Sequence, residues 1–291
     1  MPIVAAIITT GITLDMAIAT DEPSDRRAMP GPCGSDSLQR QGGIGRLKVA
    51  GVPVSLVNMD MACEEVVRHY RLGRGGYCVF RDMNGVVGAN DDPALMRAHQ
   101  NAILVTPDGM PLVWLARIKG CKWVDRVYGP DFMLEFCRIA ARMGLRHYLY
   151  GGTDSVLEKL TAQLLARFSD LKICGSYSPP MRPISEATNL DDVDRIRAAR
   201  PDVVWVGLGT PKQELWMQAN SPHLDGALLM GVGAAFDFHA KVKPQAPRWM
   251  QRSGLEWSFR LMCEPRRLAR RYLIGIPRLV MLLAKQGCEL T

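Results

Sequence analysis

Residues 202–220, DVVWVGLGTPKQELWMQAN, carry the reading of the fold class. DVVWVGLGTP reads as a strand ending on Gly207-Leu208-Gly209, and KQELWMQAN as the helix that follows it at once. A hydrophobic period that switches from two to 3.6 marks a βαβ unit. The same switch recurs on both sides. Upstream, HYLYGG is a strand closed by Gly151-Gly152, Asp154 caps the helix SVLEKLTAQLLARF, and LKICGSY is the next strand. Asp191 or Asp192 then opens the helix VDRIRAAR. Further back, AILVT closes on Pro107-Asp108-Gly109 and leads to MPLVWLARI, a helix with Pro111 in its first turn. Pro130-Asp131 opens a second helix, FMLEFCRIAARMG, which stops at Gly144. YCVF is a short strand, Asp60 caps a helix running through Tyr70, and Asp92-Pro93 opens one to about Asn101. RLKVAGVPVSLV is extended, in the manner of a hairpin. Downstream, GALLMGVGAAFDF reads as the last strand. This alternation predicts an α/β, Rossmann-like fold with a mostly parallel sheet and flanking helices.

A chain of 291 residues with 47% hydrophobic and 22% charged residues can bury a sizeable core. Residues 21–45, rich in Gly, Pro, Ser, Asp and Arg, cannot order themselves by burial. The expected organisation is a flexible extension over 1–45, an α/β core over 46–240 and a basic appendage over 241–291. The charge distribution supports that last boundary. Lys241 to Thr291 holds 11 Lys and Arg against 3 Asp and Glu, a net +8, while the rest of the chain is at −1. A nucleic-acid-binding fold would spread a basic face over its body; a basic tail on a neutral body points to an anionic surface. The eight cysteines form no C-x-x-C pair and no Cys/His cluster, so reduced thiols and a cytoplasmic setting are expected, with no metal centre. The apolar start lacks a basic n-region and is interrupted by Asp15, a poor signal peptide. No uninterrupted apolar run reaches the ~20 residues of a membrane span.

Ligands of open α/β sheets bind beyond the carboxyl ends of the strands, where glycines admit close approach and helix N-termini attract anions. Gly151, Gly152, Gly207 and Gly209, with Gly231 and Gly233, therefore suggest a nucleotide or phosphate site. The G-x-G here is followed by Thr-Pro-Lys rather than the dinucleotide pattern. Asp108, directly after a strand, is placed either as a general base or as the shaper of a Pro-Asp-Gly turn. Gln213 and Glu214 either bind a sugar or diphosphate or serve the helix start. Asp237, between Phe236 and Phe238 at an expected strand end, is a further binding candidate, and His239 lies beside it. Asp192-Val193-Asp194 matches a D-x-D metal pattern, but helix capping explains it and it is rejected as a metal site. In the tail, Arg260, Arg267 and Arg271 share one helical face if Pro265 does not break the helix. With Trp257, Phe259 and the run LVMLL they suit the headgroup layer of an anionic membrane; a core-packing helix with a solvated arginine face fits the composition as well.

VTPDGMPLVW, RVYGPDF, YLYGG, VGLGTPKQE, GVGAAFDF and GLEWSFRLMCEPRRLARRYL, in that order, resemble the WecG/TagA/CpsF glycosyltransferases over about Arg46 to Arg278. The resemblance implies an inverting transferase with an α/β core and a C-terminal appendage that docks on the membrane. It would move N-acetylmannosamine, its uronic acid or a glucose-type sugar from a nucleotide-sugar donor to a polyprenyl-diphosphate-linked glycolipid. It also implies the base at Asp108, the family glutamine at Gln213, and the family Arg and Asp at Arg126 and Asp131. Where many members have Thr-x-Asn the chain has Asp82-Met83-Asn84; Asn84 fits, and Asp82 replaces a neutral hydroxyl with an acid, which bears on sugar specificity. No cofactor and no nucleic acid is expected. An anionic membrane surface at the inner face is the expected location, and a homo-oligomer is compatible with the pattern. The alternative is a non-catalytic membrane-surface module that binds a nucleotide or phospholipid.

Overall fold

The computed structural model describes residues 43–180 and 186–291, without the side chains of 186–189, 267, 268, 270–272 and 274. Nearly all of the expected N-terminal extension, Cys33 included, lies outside the described residues. In chain order the elements are β1 (Arg46–Val49), β2 (Val52–Ser55), α1 (Met59–Arg71), β3 (Gly76–Arg81), α2 (Met83–Asp91), α3 (Pro93–Gln100), β4 (Leu104–Pro107), α4 (Met110–Ile118) and α5 (Gly129–Met143). There follow β5 (Arg146–Gly151), α6 (Asp154–Arg167), β6 (Lys172–Tyr177), α7 (Glu186–Ala198), β7 (Val203–Gly207), α8 (Lys212–Asn220), β8 (Leu228–Gly231) and α9 (Ala235–His239). The C-terminal segment adds α10 (Arg248–Arg252), α11 (Glu256–Cys263), α12 (Pro265–Gln286) and β9 (Cys288–Leu290).

Six strands form the predicted parallel sheet in the order β4-β3-β8-β7-β5-β6. Its strands read as nearly continuous apolar runs because both faces are covered. Tyr77, Val79, Tyr148, Tyr150, Val204 and Val206 point into one core, shared with α7 and α8. The alternate residues Cys78, Phe80, Leu149, Val203 and Trp205 point into the other, shared with α1, α5 and α6. The connection from β5 runs through α6 to β6, and that from β7 through α8 to β8, on opposite faces and in opposite directions. A right-handed crossover requires that pairing of face and direction, and it opens a crevice where the two connections part.

The expected hairpin is present: β1 and β2 pair across Ala50-Gly51, both at positive φ, as a two-residue turn of matching twist requires. Its partner was not legible. β9 pairs with β1, with Arg46 and Thr291 exchanging backbone bonds at 2.9 and 2.8 Å. Leu279 on α12 is buried, and Leu282 and Leu283 join the same core. Three of the five residues of LVMLL thus pack inward, leaving Val280 and Met281 exposed.

Other expectations need correction. The strand expected through GVGAAFDF stops at Gly231; the chain turns at Gly233, φ +52, and Asp237 lies on the helix α9. The turn brings Phe236 over Gly207, where a Cβ would stand 2.7 Å from the ring. Pro265 does break the tail helix: α11 ends at Cys263 and Pro265 starts α12, so Arg260 is on a different helix from Arg267 and Arg271. α1 and α6 are capped by the side chains of Asn58 and Thr153, with Asp60 and Asp154 inside their first turns. α7 is already helical at Glu186, so Asp192 sits within it, buried and accepting from the Tyr150 hydroxyl at 2.5 Å. Helix α2, unforeseen, is capped by Asp82.

Candidate active site

The carboxyl edge of the sheet brings the turns after β4, β3, β8, β7 and β5 side by side in that order. Asp108 leaves β4 with its N–H on the Arg81 carbonyl at 2.9 Å, beside the turn of Asp82. Asp82 accepts from the Gly85 N–H at 2.9 Å and from Asn84 Nδ2 at 3.3 Å. An aspartate caps a helix as well as a threonine does, so the acid at this position is accommodated by local chemistry.

The loop between α4 and α5 runs along the end of β4, with the Val127 N–H on the Pro107 carbonyl at 3.0 Å. That contact delivers Arg126 to Asp108. Its Nε donates to the Asp108 backbone carbonyl, its Nη2 stands 3.2 Å from Asp108 Oδ1, and its guanidinium lies 4.1 Å above the Tyr128 ring. The same Nη2 is 2.5 Å from Glu256 Oε2, while Glu256 Oε1 is 2.5 Å from Arg260 Nη2. Arg260 reaches the Tyr128 hydroxyl at 3.4 Å. The Asp108 side chain is 20% exposed, open enough to meet a ligand. Burial pushes its carboxyl up to about 6; Arg126 and Arg260 pull it down, and Glu256 and Asp82 add to the rise.

Beneath this rim lies a sealed cluster. Arg81 and Glu214 form an ion pair with 1% and 0% of their side chains exposed. Glu214 Oε1 also accepts from Thr210 at 3.0 Å and Gln213 at 3.2 Å. Gln213 Nε2 donates to the Gly231 carbonyl at 2.7 Å, and its Oε1, buried beside Gly233, has no donor among the described residues. Gln213 Oε1 and Glu214 Oε2 are thus the two oxygens of this cluster without a hydrogen-bond partner among the described residues, while Glu214 Oε1 is held by Arg81, Thr210 and Gln213.

The glycines divide by role. A Cβ on Gly151 would stand 2.6 Å from the Gly207 backbone, so these two serve strand packing. Gly152 is exposed at φ +69, and Gly209, at φ +76, faces open space. Asp131 stands exposed in the first turn of α5. Asp237 pairs with Lys243 at 2.8 Å, and His239 contacts the Pro130 carbonyl at 2.9 Å, fixing α9 to α5. The side chains of Arg267 and Arg271 lie outside the described residues. Among the described residues no group of three or more His, Cys, Asp or Glu could hold a metal ion. Sequence reasoning missed Arg81, Tyr128 and Glu256; the one available signal for Glu256 was an acid in a segment dominated by bases.

A half-buried carboxylate flanked by arginines at the carboxyl edge of a parallel sheet is equipment for group transfer involving an anionic substrate. The profile of the WecG/TagA/CpsF glycosyl transferase family matches residues 47–291, and the chain belongs to that family. It is a glycosyltransferase. Among its curated relatives is the N-acetylglucosaminyldiphosphoundecaprenol N-acetyl-beta-D-mannosaminyltransferase of Bacillus subtilis (strain 168), 31% identical over 183 residues, 62% of this chain and 68% of the relative.

Proposed function

We propose that this chain moves a sugar of the N-acetylmannosamine, mannosaminuronate or glucose type from a nucleotide-sugar to a polyprenyl-diphosphate-linked glycolipid, with inversion, in bacterial cell-surface or exopolysaccharide assembly. The observation that carries the reading is Asp108, half-open at the sheet edge with its carboxyl raised to about 6. A base works best with a pKa near the operating pH. Asp108 takes the proton of the acceptor hydroxyl as that oxygen attacks the anomeric carbon opposite the nucleotide. The bond from the anomeric carbon to the diphosphate breaks, and the nucleoside diphosphate leaves. Arg126, Arg260 and the N–H groups at the Gly152 and Gly209 turns meet its charge, and Gln213 Oε1 accepts from the sugar. Arg267 and Arg271, in the first turns of α12, are the further candidates. With arginines in that role the reaction needs no metal.

The name of the B. subtilis relative supports the acceptor class. The membrane part of the proposal draws on the net +8 of the tail and on its exposed apolar side chains. No helix among the described residues is long and apolar enough to cross a membrane. Leu273 and Met281 on α12 are 75% and 55% exposed, beside a cavity of about 460 Å3 lined also by Pro277, Arg278, Leu282 and Lys285. Surface attachment at the inner face, through basic residues worth ~1 kcal/mol each and an unscreened apolar term, fits that composition. The test is a panel of nucleotide-sugars with a short-chain polyprenyl-diphosphate N-acetylglucosamine acceptor, with and without EDTA. Turnover of one donor to an inverted product, unchanged by the chelator, is expected. Binding without turnover across the panel would favour the non-catalytic alternative. Deleting the tail would remove Leu279 and β9 from the fold, so membrane attachment is tested with Leu273→Ser and Met281→Ser. Unchanged co-sedimentation with anionic vesicles would remove this face from the docking surface.

A further inference from the structure

We propose that Glu256 is a positioning residue for the transfer: it holds the Arg126 guanidinium so that it grips the Asp108 backbone while leaving the Asp108 carboxylate only loosely paired. The proposal rests on Asp108 being the base. Its first support is the sharing of one nitrogen. Arg126 Nη2 is 2.5 Å from Glu256 and 3.2 Å from Asp108, so the closer partner is the residue that does no chemistry. A fully engaged Arg–Asp pair would stabilise the carboxylate and weaken it as a base. The second support is that Glu256 is itself fixed. Its other oxygen holds Arg260 at 2.5 Å, its side chain is 12% exposed, and Arg260 is braced on Tyr128.

The third support is how the C-terminal segment reaches this point. Gly254, at φ +72, lies where a Cβ would stand 2.8 Å from the Trp114 ring and 3.4 Å from Met110 Cβ. Both belong to α4, the helix that begins two residues after Asp108. Only a glycine lets the turn before Glu256 rest on that helix, and the Leu255 N–H anchors it to the Met250 carbonyl at 2.8 Å. The segment is thus seated against the base's own helix and delivers a carboxylate to the base's own arginine. The charged groups facing Asp108 are Arg126 from the α4–α5 loop, Glu256 and Arg260 from α11, and Asp82 from the cap of α2.

The experiment measures kcat, donor KM and the pH profile of kcat/KM in the full chain for the wild type, Glu256→Gln, Glu256→Asp, Gly254→Ala and Asp108→Asn. In Glu256→Gln, Arg126 turns fully to Asp108. Its kcat is expected to fall roughly tenfold, part of the ~10²–10⁴-fold a general base supplies. The acid limb should move to lower pH, because losing a negative neighbour and tightening Arg126 act in the same direction. A residue that only held the fold together would not move that limb. Glu256→Asp keeps the charge but loses reach and should fall between the two. Gly254→Ala, which displaces Glu256 without altering it, should resemble Glu256→Gln. Wild-type kcat with an unmoved limb in Glu256→Gln would overturn the proposal. If that variant does not melt cooperatively, Glu256→Asp decides: a several-fold loss of kcat supports the role, and wild-type kcat ends it. Asp108→Asn separates the two failures. Full activity there sinks the base assignment itself, whereas an inactive Asp108→Asn beside an unaffected Glu256→Gln sinks only the inference.

Discussion

Two charged clusters share one sheet edge and differ in what surrounds them. Arg81 and Glu214 are sealed, and Arg81 Nε and Glu214 Oε2 have no hydrogen-bond partner among the described residues. Asp108, Arg126 and Glu256 keep 20%, 14% and 12% of their side chains in reach of solvent. Burying an ion pair is seldom a gain over apolar packing, so the sealed pair is best understood by what it joins. It ties the end of β3 to the start of α8 and, through Gln213, to the end of β8. The rim pair leaves room for a substrate. The contrast teaches that one sheet edge can hold a sealed pair that joins elements and, above it, a partly open set of charges that the proposed function uses.

The largest effect should fall on the sealed cluster. Arg81→Met or Glu214→Gln leaves one charge buried and should cost roughly 3–5 kcal/mol of stability. Replacing both by apolar residues should recover most of that loss in thermal or denaturant melts. A single change costing under about 1 kcal/mol would erase the distinction between the clusters.

At the rim the expected loss is in rate. Asp108→Asn should lower turnover by ~10²-fold or more, about 2.7 kcal/mol of barrier, while donor binding measured by calorimetry survives. Wild-type-like turnover would remove Asp108 from the chemistry.

A smaller effect follows from the sign of the Asp108 shift. Its carboxyl rises from an ordinary 3.8 to about 6 on folding, so the unfolded chain ionises first and folded stability falls as pH rises between those values. Asparagine carries no charge to bury. Asp108→Asn should therefore melt higher than wild type at pH 8 and much the same at pH 4. A lower melting temperature at pH 8 would mean that its ion pair with Arg126 outweighs burial. In the active wild type the same shift predicts an acid limb of kcat/KM near pH 6.

The smallest effect belongs to Asp82. Asp82→Asn keeps an acceptor for the cap of α2 but removes a negative neighbour whose influence on Asp108 is smaller than that of Glu256. The acid limb should move down by less than in Glu256→Gln. A larger movement than in Glu256→Gln would place the tuning of the base in α2 rather than in the C-terminal segment.

How far the sequence could be read depended on range. Helix α8 was legible to the residue, and so was the stop of α5 at Gly144, where φ is +69, because periodicity and capping act over one or two turns. Helix α2 was not. Its glycines argue against a helix, and Gly85 is there because a Cβ would collide with the Arg81 side chain passing beneath it. The end of β8 was misplaced for a similar reason: GVGAAFDF is apolar enough for a strand, and its turn exists to carry Phe236 over Gly207.

The amino-acid order alone determined the alternation of strands and helices, the parallel sheet, the glycine turns at its carboxyl edge and the position of Asp108 among them. Each follows from side chains a few residues apart. Only the tertiary structure decided that Glu256 meets Arg126 across 130 residues, that Arg81 meets Glu214 across 133, and that Thr291 returns to Arg46 across 245. Those contacts depend on where packed elements set the chain down. Charge attraction falls off too quickly in water to announce such partners along the sequence, and it becomes decisive only once the fold has excluded the solvent between them.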